Sequence, residues 1–546
     1  MSPWLFKLAV LLVYICFFYY LRMDYAQAGA CGLFLLDFMD RGNENEDKKV
    51  GYRHTIKYLG IFGGAQGFSM LLNMLRTKIT SVLLGVAGQS IIALSNRTIQ
   101  MFSDLTGLSL AFSAVRRMSD AYSNGDEAVV EHCVKVVRSI AFLTGLLGTL
   151  LMLAVTPFIS EWIFDASSGY YLAKLLMLSP VVFMMAVSNG ELAILRGTRR
   201  LNKVAAYSLA VSVISLLVSA PLYIFIGLGG IFPAIFVTVF FQMCVLLCFT
   251  VPHYGYRVSP FSLRLVREGV DMVKMGAGYI FASILTSSAM WLICALLSDL
   301  GDGESAGLFS AAFVMITLLP GILFAALDSE YYPRLSGVAS NGEVRNRMVN
   351  EQVEVQLLVQ SPLLLAFIVA MPVLVPLFYD AEFVPAIAMA QFAMFGMFMR
   401  TMTYPISFLP LVNNDTFVFV ILETVYSVML VALVVFGFQY YGYVGVGVGM
   451  ALAHTFDFVA VYVVTSVRYG MSLSADAVRG FLLQLPLFVA VIAVAMTGCD
   501  GWCYWVAGGT GVLLSALATF HMFSRMAVLP DSLSRVVNKL FSRFKR

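Results

Sequence analysis

The residues Gly88-Gln-Ser-Ile-Ile-Ala-Leu-Ser95 return 215 positions later as Gly303-Glu-Ser-Ala-Gly-Leu-Phe-Ser310. Other pairs keep a similar separation, between 212 and 217 positions: Ser123-Asn-Gly-Asp with Ser340-Asn-Gly-Glu, Pro157 with Pro372, Asn202 with Asn414, Gly230 with Gly442 and Tyr254-Gly255 with Tyr469-Gly470. A unit of six hydrophobic segments has therefore been duplicated head to tail. Two similar halves in a membrane are typical of a transporter that holds its cargo between them.

The composition places this chain in a membrane. It is 60% hydrophobic and 12% charged, with a mean hydropathy of +0.85, and long apolar runs recur throughout. These runs predict an all-α polytopic membrane protein with about fourteen transmembrane helices. We divide the chain into an N-terminal extension (1–47), a first six-helix bundle (48–266), a second six-helix bundle (267–479), and two further spans with a basic tail (480–546).

The two ends of the chain allow alternative interpretations. Trp4–Leu21 is apolar enough for an extra span, although Lys7 interrupts it, or for a signal peptide, although a good small-residue cleavage site is missing. A start placed too early, with Met39 or another internal start as the functional one, explains residues 1–47 equally well. The tail Asp531–Arg546 has one apolar and one basic face. It is either a helix lying on an anionic inner leaflet or a solvated basic end.

Charge alternates sharply between successive turns. One set of turns contains the basic residues, including Lys48, Lys49, Arg116, Arg117, Arg199, Arg200, Arg264, Arg267, Arg345, Arg347, Arg468 and Arg479. The other set contains Glu161, Asp165, Asp299, Asp302, Glu304, Asp380, Glu382 and Asp500, with only Lys174 near its edge. Because basic turns stay inside, both termini of the core are predicted to be cytoplasmic.

No turn is long enough for a soluble catalytic domain, and the sequence has no Walker A loop, dinucleotide fingerprint or HExxH motif. We therefore expect a protein that is not an enzyme, needs no cofactor or metal, and binds no nucleic acid.

Three cations lie at one predicted depth in the first hairpin. Arg76 lies nine residues before Gly85, and Arg97 nine residues after Gly88, so both are roughly 13 Å from the turn at 1.5 Å per residue. Lys78 lies close by but two residues from Arg76, so these two side chains point to opposite faces and only one, which we expect to be Arg76, can face a given cavity. Arg suits phosphate by its planar fork, so Arg76, Lys78 and Arg97 are the candidate cargo-binding residues.

Three acids lie in the other half of the predicted membrane depth: Asp104, Glu423 and Asp457, with His454 one turn from Asp457. Buried acids of this kind serve proton or sodium coupling in many transporters. The alternative for both groups is pairing within the membrane, for example of Arg97 with Asp104, which would only hold helices in register.

Several segments resemble bacterial polysaccharide and O-antigen flippases of the multidrug, oligosaccharidyl-lipid and polysaccharide exporter superfamily. They are Arg76-Thr-Lys with Gly85-Val-Ala-Gly88, Phe112-Ser-Ala-Val-Arg116, Gly190-Glu-Leu-Ala-Ile-Leu-Arg-Gly197 and Tyr332-Pro-Arg-Leu-Ser336. The resemblance covers about residues 50–480 and does not reach residues 1–47.

This resemblance implies a V-shaped, alternating-access transporter of the bacterial cytoplasmic membrane. Its cargo would be an oligosaccharide linked to polyprenyl pyrophosphate, moved from the inner to the outer leaflet, with Arg76, Lys78 and Arg97 as the matching cationic cavity. The implied partners are the lipid-linked oligosaccharide and membrane lipids, and a polysaccharide polymerase and other assembly proteins are further candidates.

Two alternatives remain at this point. A drug or cation antiporter of the same superfamily should favour acids in its cavity, which the three cations oppose. A membrane polysaccharide polymerase or ligase would need basic residues on a large outer loop, whereas the acidic turns are short.

The charge asymmetry predicts the topology directly. In a background without other cysteines, Asp302→Cys should react with an impermeant thiol reagent added outside, and Asn341→Cys should not. Labelling of Asn341→Cys alone would reverse the predicted orientation.

Overall fold

The computed structural model describes residues 46–107, 110–123, 126–164, 169–256, 258, 265, 267–268, 277–301, 303–339, 341–496 and 501–525. Nearly all of the predicted N-terminal extension and the whole of the predicted tail Asp531–Arg546 lie outside these residues.

Every regular element in these ranges is helical, which confirms the all-α prediction. The α-helices are α1 (Glu46–Gly107), α2 (Leu110–Ser123), α3 (Glu127–Phe164), α4 (Gly169–Gly197), α5 (Leu201–Ile226), α6 (Ile231–Tyr254), α7 (Ala277–Leu300), α8 (Ser305–Gly337), α9 (Gly342–Phe378), α10 (Pro385–Ser407), α11 (Leu409–Val412), α12 (Thr416–Tyr469), α13 (Ala475–Met496) and α14 (Trp502–Arg525). Short 3₁₀ turns occupy Gly227–Gly230 and Ala381–Phe383.

Nine candidate membrane-spanning helices are present in the described part of the chain. Two of these segments have 53 and 54 residues, more than twice the roughly 20 residues that cross a bilayer. The predicted number of fourteen spans therefore stays a prediction.

Glycines with positive φ fold the longest helices back on themselves. Gly85 (φ 62°) divides α1 into a first arm (46–84) and a second arm (86–107), and Gly442 (φ 58°) divides α12 into arms 416–441 and 443–469. The arms of α12 then pack so closely that a Cβ on Gly445 would lie 1.8 Å from the carbonyl oxygen of Gly437. Positive φ and this close approach both require residues without a side chain.

The repeat is visible in turn conformation. Gly227, between α5 and α6, has φ 63° and ψ −136°, and Gly442, 215 residues later, has φ 58° and ψ −140°. The sequence comparison aligned Gly230 with Gly442, but Gly230 has φ −75°. Gly227 is therefore the structural counterpart, and the predicted pairing was wrong by three residues.

The helices of each half pack with the same pattern of neighbours. In the first half α1 packs on α5, α3 on α4 and α4 on α6; in the second half α7 packs on α12, α9 on α10 and α10 on α12. Contacts between the halves come mainly from α1, which packs on α7 and α8. α1 is thus the element through which the halves meet.

A buried arginine ties helices together at the basic end of each half. Arg138 forms an ion pair with Glu191 (Nε–Oε1 2.7 Å), almost completely buried, and donates to the carbonyl of Gly255 after α6. Arg345 donates to Asn413 (2.7 Å) and to the carbonyl of Tyr469 at the end of α12 (2.8 Å). Both arginines therefore satisfy carbonyls at the corresponding helix ends.

The last helix, α14, docks on α9 through carbonyls near prolines. Pro362 and Pro372 cannot donate to the carbonyls of Leu358 and Ile368, four residues earlier. Thr519 of α14 donates to Leu358 (3.1 Å). Gln391 of α10 (3.1 Å) and Tyr504 of α14 (3.3 Å) donate to Ile368. These bonds satisfy the freed backbone groups inside the membrane and fix α14 to the second half.

Candidate functional site

Arg76 and Lys78 leave opposite faces of the first arm of α1. Arg76 is half-buried and donates to the hydroxyl of Ser215 on α5, one turn from a bond between Asn73 and Ser212 (3.4 Å). The Arg76 guanidinium therefore points into the first half, toward a hydroxyl rather than a carboxylate.

Lys78 reaches across to the second half. Its Nζ donates to the carbonyl of Pro376 (2.8 Å) and to that of Tyr379. Pro376 is in the last turn of α9, and Tyr379 follows the helix directly. Carbonyls at a helix C-terminus lack intrahelical partners and carry the negative end of the helix dipole. Lys78 supplies both a donor and a positive charge at this position.

Glu382 makes the reverse contact. Its carboxylate accepts from the N–H of Val86 (3.4 Å), the first residue after the bend at Gly85. This N–H is among the unpaired donors that begin the second arm of α1, where negative charge is favourable. The second half thus caps a helix of the first half, as Lys78 caps a helix of the second.

Ser90 provides a third contact of this kind. Its hydroxyl donates to the carbonyl of Gly303 (2.6 Å) and accepts from the N–H of Gly307 (3.2 Å), in the first turn of α8. A Cβ on Gly307 would come within 2.6 Å of the carbonyl oxygen of Val86, so the backbones touch here. We call Lys78, Glu382 and Ser90, with their backbone partners, the acidic-end latch, because it lies where the acidic turns are.

A cavity of about 230 Å³ lies next to the latch, between α1, α8 and the end of α9. Its lining includes Ser69, Thr77, Val314 and Tyr379. It is smaller than the roughly 300–1,000 Å³ of ordinary ligand pockets. The latch contacts and the close approach of Gly307 to Val86 join the two halves near the acidic end in this structure.

Arg97 lies at the same boundary, on the second arm of α1. Its guanidinium is 5.0 Å from the centre of the Phe313 ring on α8 and lies beside the thiol of Cys294 on α7. The neighbouring Thr98 accepts from the indole N–H of Trp291 (3.0 Å). Arg97 thus packs against the second half through an aromatic face.

Asp104 does not pair with Arg97. Its carboxylate accepts from Gln100 (3.0 and 2.9 Å) and from the hydroxyl of Ser287 on α7. Structural pairing of Arg97 with Asp104 was the alternative considered for these charges, and the described contacts do not contain it.

Glu423 and Asp457 lie together on the two arms of α12, inside the second half. His454 is 2% exposed and its Nδ1 is 3.4 Å from the hydroxyl of Tyr426. Arg400 on α10 interacts electrostatically with both carboxylates. Arg400 was missed in the sequence analysis, although an arginine within a predicted span is itself the signal that marked Arg76 and Arg97.

The six predicted residues thus fall into two groups. Arg76, Lys78, Arg97 and Asp104 all lie on α1, but their side chains point to different places: Arg76 to α5, Lys78 to the end of α9, and Arg97 and Asp104 to α7, with Arg97 also against α8. Glu423 and Asp457 form a separate cluster with Arg400. No group of three or more metal-binding side chains occurs among the described residues.

The sequence and the fold both resemble those of known proteins. Residues 125–388 match a family described as "Polysaccharide biosynthesis protein". The structure resembles lipid II flippase MurJ in an inward closed conformation, with a TM-score of 0.63, 16% identity, and coverage of 85% of this chain and 98% of that one. The family match and the shared fold confirm the predicted resemblance.

Two structures described as MOP-superfamily transporters share this fold. An inward-facing multidrug resistance MATE transporter has a TM-score of 0.58 and 16% identity, covering 74% of this chain and 94% of its own. A transporter from Pyrococcus furiosus with a binding pocket of reverse polarity has a TM-score of 0.52 and 15% identity, covering 75% and 93%. At these identities the likeness concerns the fold alone. No curated protein matches the sequence.

The latch predicts how closure responds to a single residue. A hydrogen bond to a charged group is worth about 1.5–3 kcal/mol, so Lys78→Met should raise the open population about ten- to hundredfold. Cys294 is fully buried, six residues or about 9 Å from the end of α7. Kept as the only cysteine, it should react with an impermeant thiol reagent from the acidic end at least tenfold faster.

Two variants control this experiment. Lys78→Arg keeps the charge and should keep labelling slow, and Glu161→Gln removes an exposed charge from another acidic turn without touching the latch. If Lys78→Met is labelled at the wild-type rate, the latch does not hold the halves closed.

Proposed function

We propose that this protein is a flippase that moves oligosaccharide linked to polyprenyl pyrophosphate from the inner to the outer leaflet of the bacterial cytoplasmic membrane. Such a step supplies surface polysaccharide or O-antigen assembly. One observation carries the proposal: α1 holds Arg76, Lys78 and Arg97 at membrane depth, and none has a carboxylate within ion-pair distance among the described residues.

Uncompensated cations inside a membrane are costly, roughly 2.5–3.5 kcal/mol each on insertion scales. Their cost is offset if an anionic group occupies the space between the halves during part of the cycle. A pyrophosphate presents several anionic oxygens, and Arg binds such oxygens through two parallel N–H groups. The matched family and the similarity to a lipid II flippase support a lipid-linked saccharide as the cargo.

The latch gives this cargo a way to promote the conformational change. Lys78 is held by backbone carbonyls, which are neutral acceptors. A phosphate oxygen is a stronger partner for an ammonium group. Cargo arriving near Arg97 would compete for Lys78, weaken the latch and favour opening at the acidic end, which the charge asymmetry assigns to the outside. The polyprenyl chain would remain in lipid.

Two sources of energy fit the described chain. Glu423, Asp457 and Asp104 are candidates for coupling to a proton or sodium gradient. Membrane potential acting on the anionic cargo is the simpler alternative. We propose no enzymatic activity and no cofactor, and the basic ends of the helices face the cytoplasm.

A drug or cation antiporter is the second candidate, because multidrug transporters share the fold. Its cavity would have to attract cations. The three cations of α1 would repel a cationic cargo. The acidic cluster that could attract one is on α12, within the second half.

Arg97 provides the sharpest test of the cargo. Arg97→Ala should weaken cargo binding roughly 10- to 100-fold through loss of a charge-assisted hydrogen bond. Lipid-linked oligosaccharide should then accumulate on the inner leaflet. Arg97→Lys should rescue only in part, because the planar fork is lost. The measurement is complementation of surface polysaccharide in a strain lacking the protein, with membrane levels checked.

Arg347→Ala is the matched control, since Arg347 is an exposed cytoplasmic-end arginine paired with Glu351. Arg76→Ala and Lys78→Ala complete the series, and we now expect Lys78 to matter more for cargo, because it lies at the boundary between the halves whereas Arg76 points into the first half. Wild-type polysaccharide in all three alanine variants at normal expression would refute the cationic site.

The acids provide the test of coupling. Glu423→Gln or Asp457→Asn should abolish the pH or sodium dependence of flux in proteoliposomes while the protein stays folded. If both variants and Asp104→Asn keep the wild-type dependence, these acids have only structural roles, and membrane potential is the driving force.

A further inference from the structure

Arg400 lies where α8, α10 and both arms of α12 meet. It is half-buried, and its guanidinium carbon is 6.0 Å from the ring centres of both Phe324 and Tyr404. These rings pack on each other with centroids 4.4 Å apart. The aromatic pair fixes the guanidinium by cation–π attraction without neutralising it. Arg400 therefore keeps its full positive charge inside the second half.

The acids supply the opposite charge. The arms of α12 fold back at Gly442, and Tyr426 on the first arm lies 3.4 Å from His454 on the second, so Glu423 and Asp457, one turn further along each arm, lie at the same level. His454 packs against Gly396 of α10, one turn before Arg400, which brings the guanidinium to the level of both acids and agrees with its electrostatic interaction with them. In the described part of the chain neither carboxylate is within 4.0 Å of a basic nitrogen. Both acids therefore interact with the same cation, Arg400, and neither forms a direct ion pair.

The surrounding elements contribute other polar groups. The arms of α12 place Tyr426 and the buried His454 beside the cluster, and His454 packs directly against Gly396 of α10. From α8, Tyr331 donates to the carbonyl of Pro405 (3.0 Å), while Asp328 and Glu330 have side chains outside the described part. From α9, Gln356 and Gln360 are buried and uncharged.

We infer that Arg400 is a built-in counter-cation that balances one of the two carboxylates, so that the Glu423–Asp457 pair shares a single bound proton. This inference deepens the proposed coupling and rests on it for its role in transport. An arginine stays protonated in proteins, so it balances one negative charge permanently. Two ionised carboxylates near each other in a poorly solvated site are unfavourable, so the second takes up a proton.

The same charge bears on which ion the cluster takes up. With Arg400, the two ionised carboxylates have a net charge of −1, which one proton or one sodium ion would balance. A sodium ion between Glu423 and Asp457 would also be repelled by the guanidinium, whereas a proton joins a carboxylate covalently, and this difference favours the proton.

Infrared spectroscopy can count the protonated carboxylic acids in purified protein, without cargo. Relative to wild type, Glu423→Gln alone and Asp457→Asn alone should each remove one protonated-carboxyl signal, because Arg400 then balances the remaining acid. Arg400→Gln should add one such signal. The double variants R400Q/E423Q and R400Q/D457N should return to the wild-type count, and Arg400→Lys should keep it.

A purely structural Arg400 would not produce this pattern. Arg479→Gln is the matched control, since Arg479 is exposed and pairs with Asp476 outside the cluster, and it should change nothing. If Arg400→Gln does not fold, the two single acid variants still test the inference, because each must lose the same protonated-carboxyl signal. Loss of signal in only one of them, or an added signal in Arg400→Gln that persists in both double variants, overturns the inference.

The experiment separates this inference from the proposed transport. If the infrared pattern is as expected but flux does not depend on pH, the shared proton is supported and its use in coupling is refuted. If flux depends on pH but the number of protonated carboxyl groups is unchanged in all variants, ion coupling is supported and the proposed role of Arg400 is refuted.

Discussion

Helix ends at the boundary between the halves have backbone groups that only the opposite half can satisfy. Inside a membrane an unpaired N–H or C=O is costly, and no water replaces the missing partner. Lys78 satisfies the end of α9, Glu382 the start of the second arm of α1, and Ser90 the start of α8. The closed state depends on these three contacts. When the halves separate, each contact breaks and leaves a helix end without its hydrogen-bond partner.

This kind of closure differs from hydrophobic contact in an important way. Apolar surfaces in lipid gain little by meeting each other, since lipid tails are equally apolar. Polar caps do discriminate between open and closed states, and they can be displaced by water or by a stronger charged partner. A transporter that must open for an anion benefits from a latch with a cation in it.

Other polar groups inside the membrane also find partners on neighbouring helices. Prolines in α9 free carbonyls, and α10 and α14 supply the donors. Arg138 and Glu191 neutralise each other completely within the first half. The cations of α1 and the Arg400 cluster differ from Arg138 and Glu191, because neither has a direct ion-pair partner among the described residues. These are the places where we propose that cargo or protons change the balance of charge.

The amino-acid sequence alone determined that this is a duplicated, all-helical membrane protein, because hydrophobicity, glycine turns and repeats are properties of the linear chain. It also marked Arg76, Lys78, Arg97, Glu423 and Asp457, since a charge in an apolar run is visible without any structure. Only the tertiary structure decided what each charge meets. Lys78 and the carbonyls it binds are 298 and 301 residues apart, and Arg400 interacts with one acid on each arm of another helix. Such partners depend on how helices from distant parts of the chain pack, and no local pattern encodes that distance.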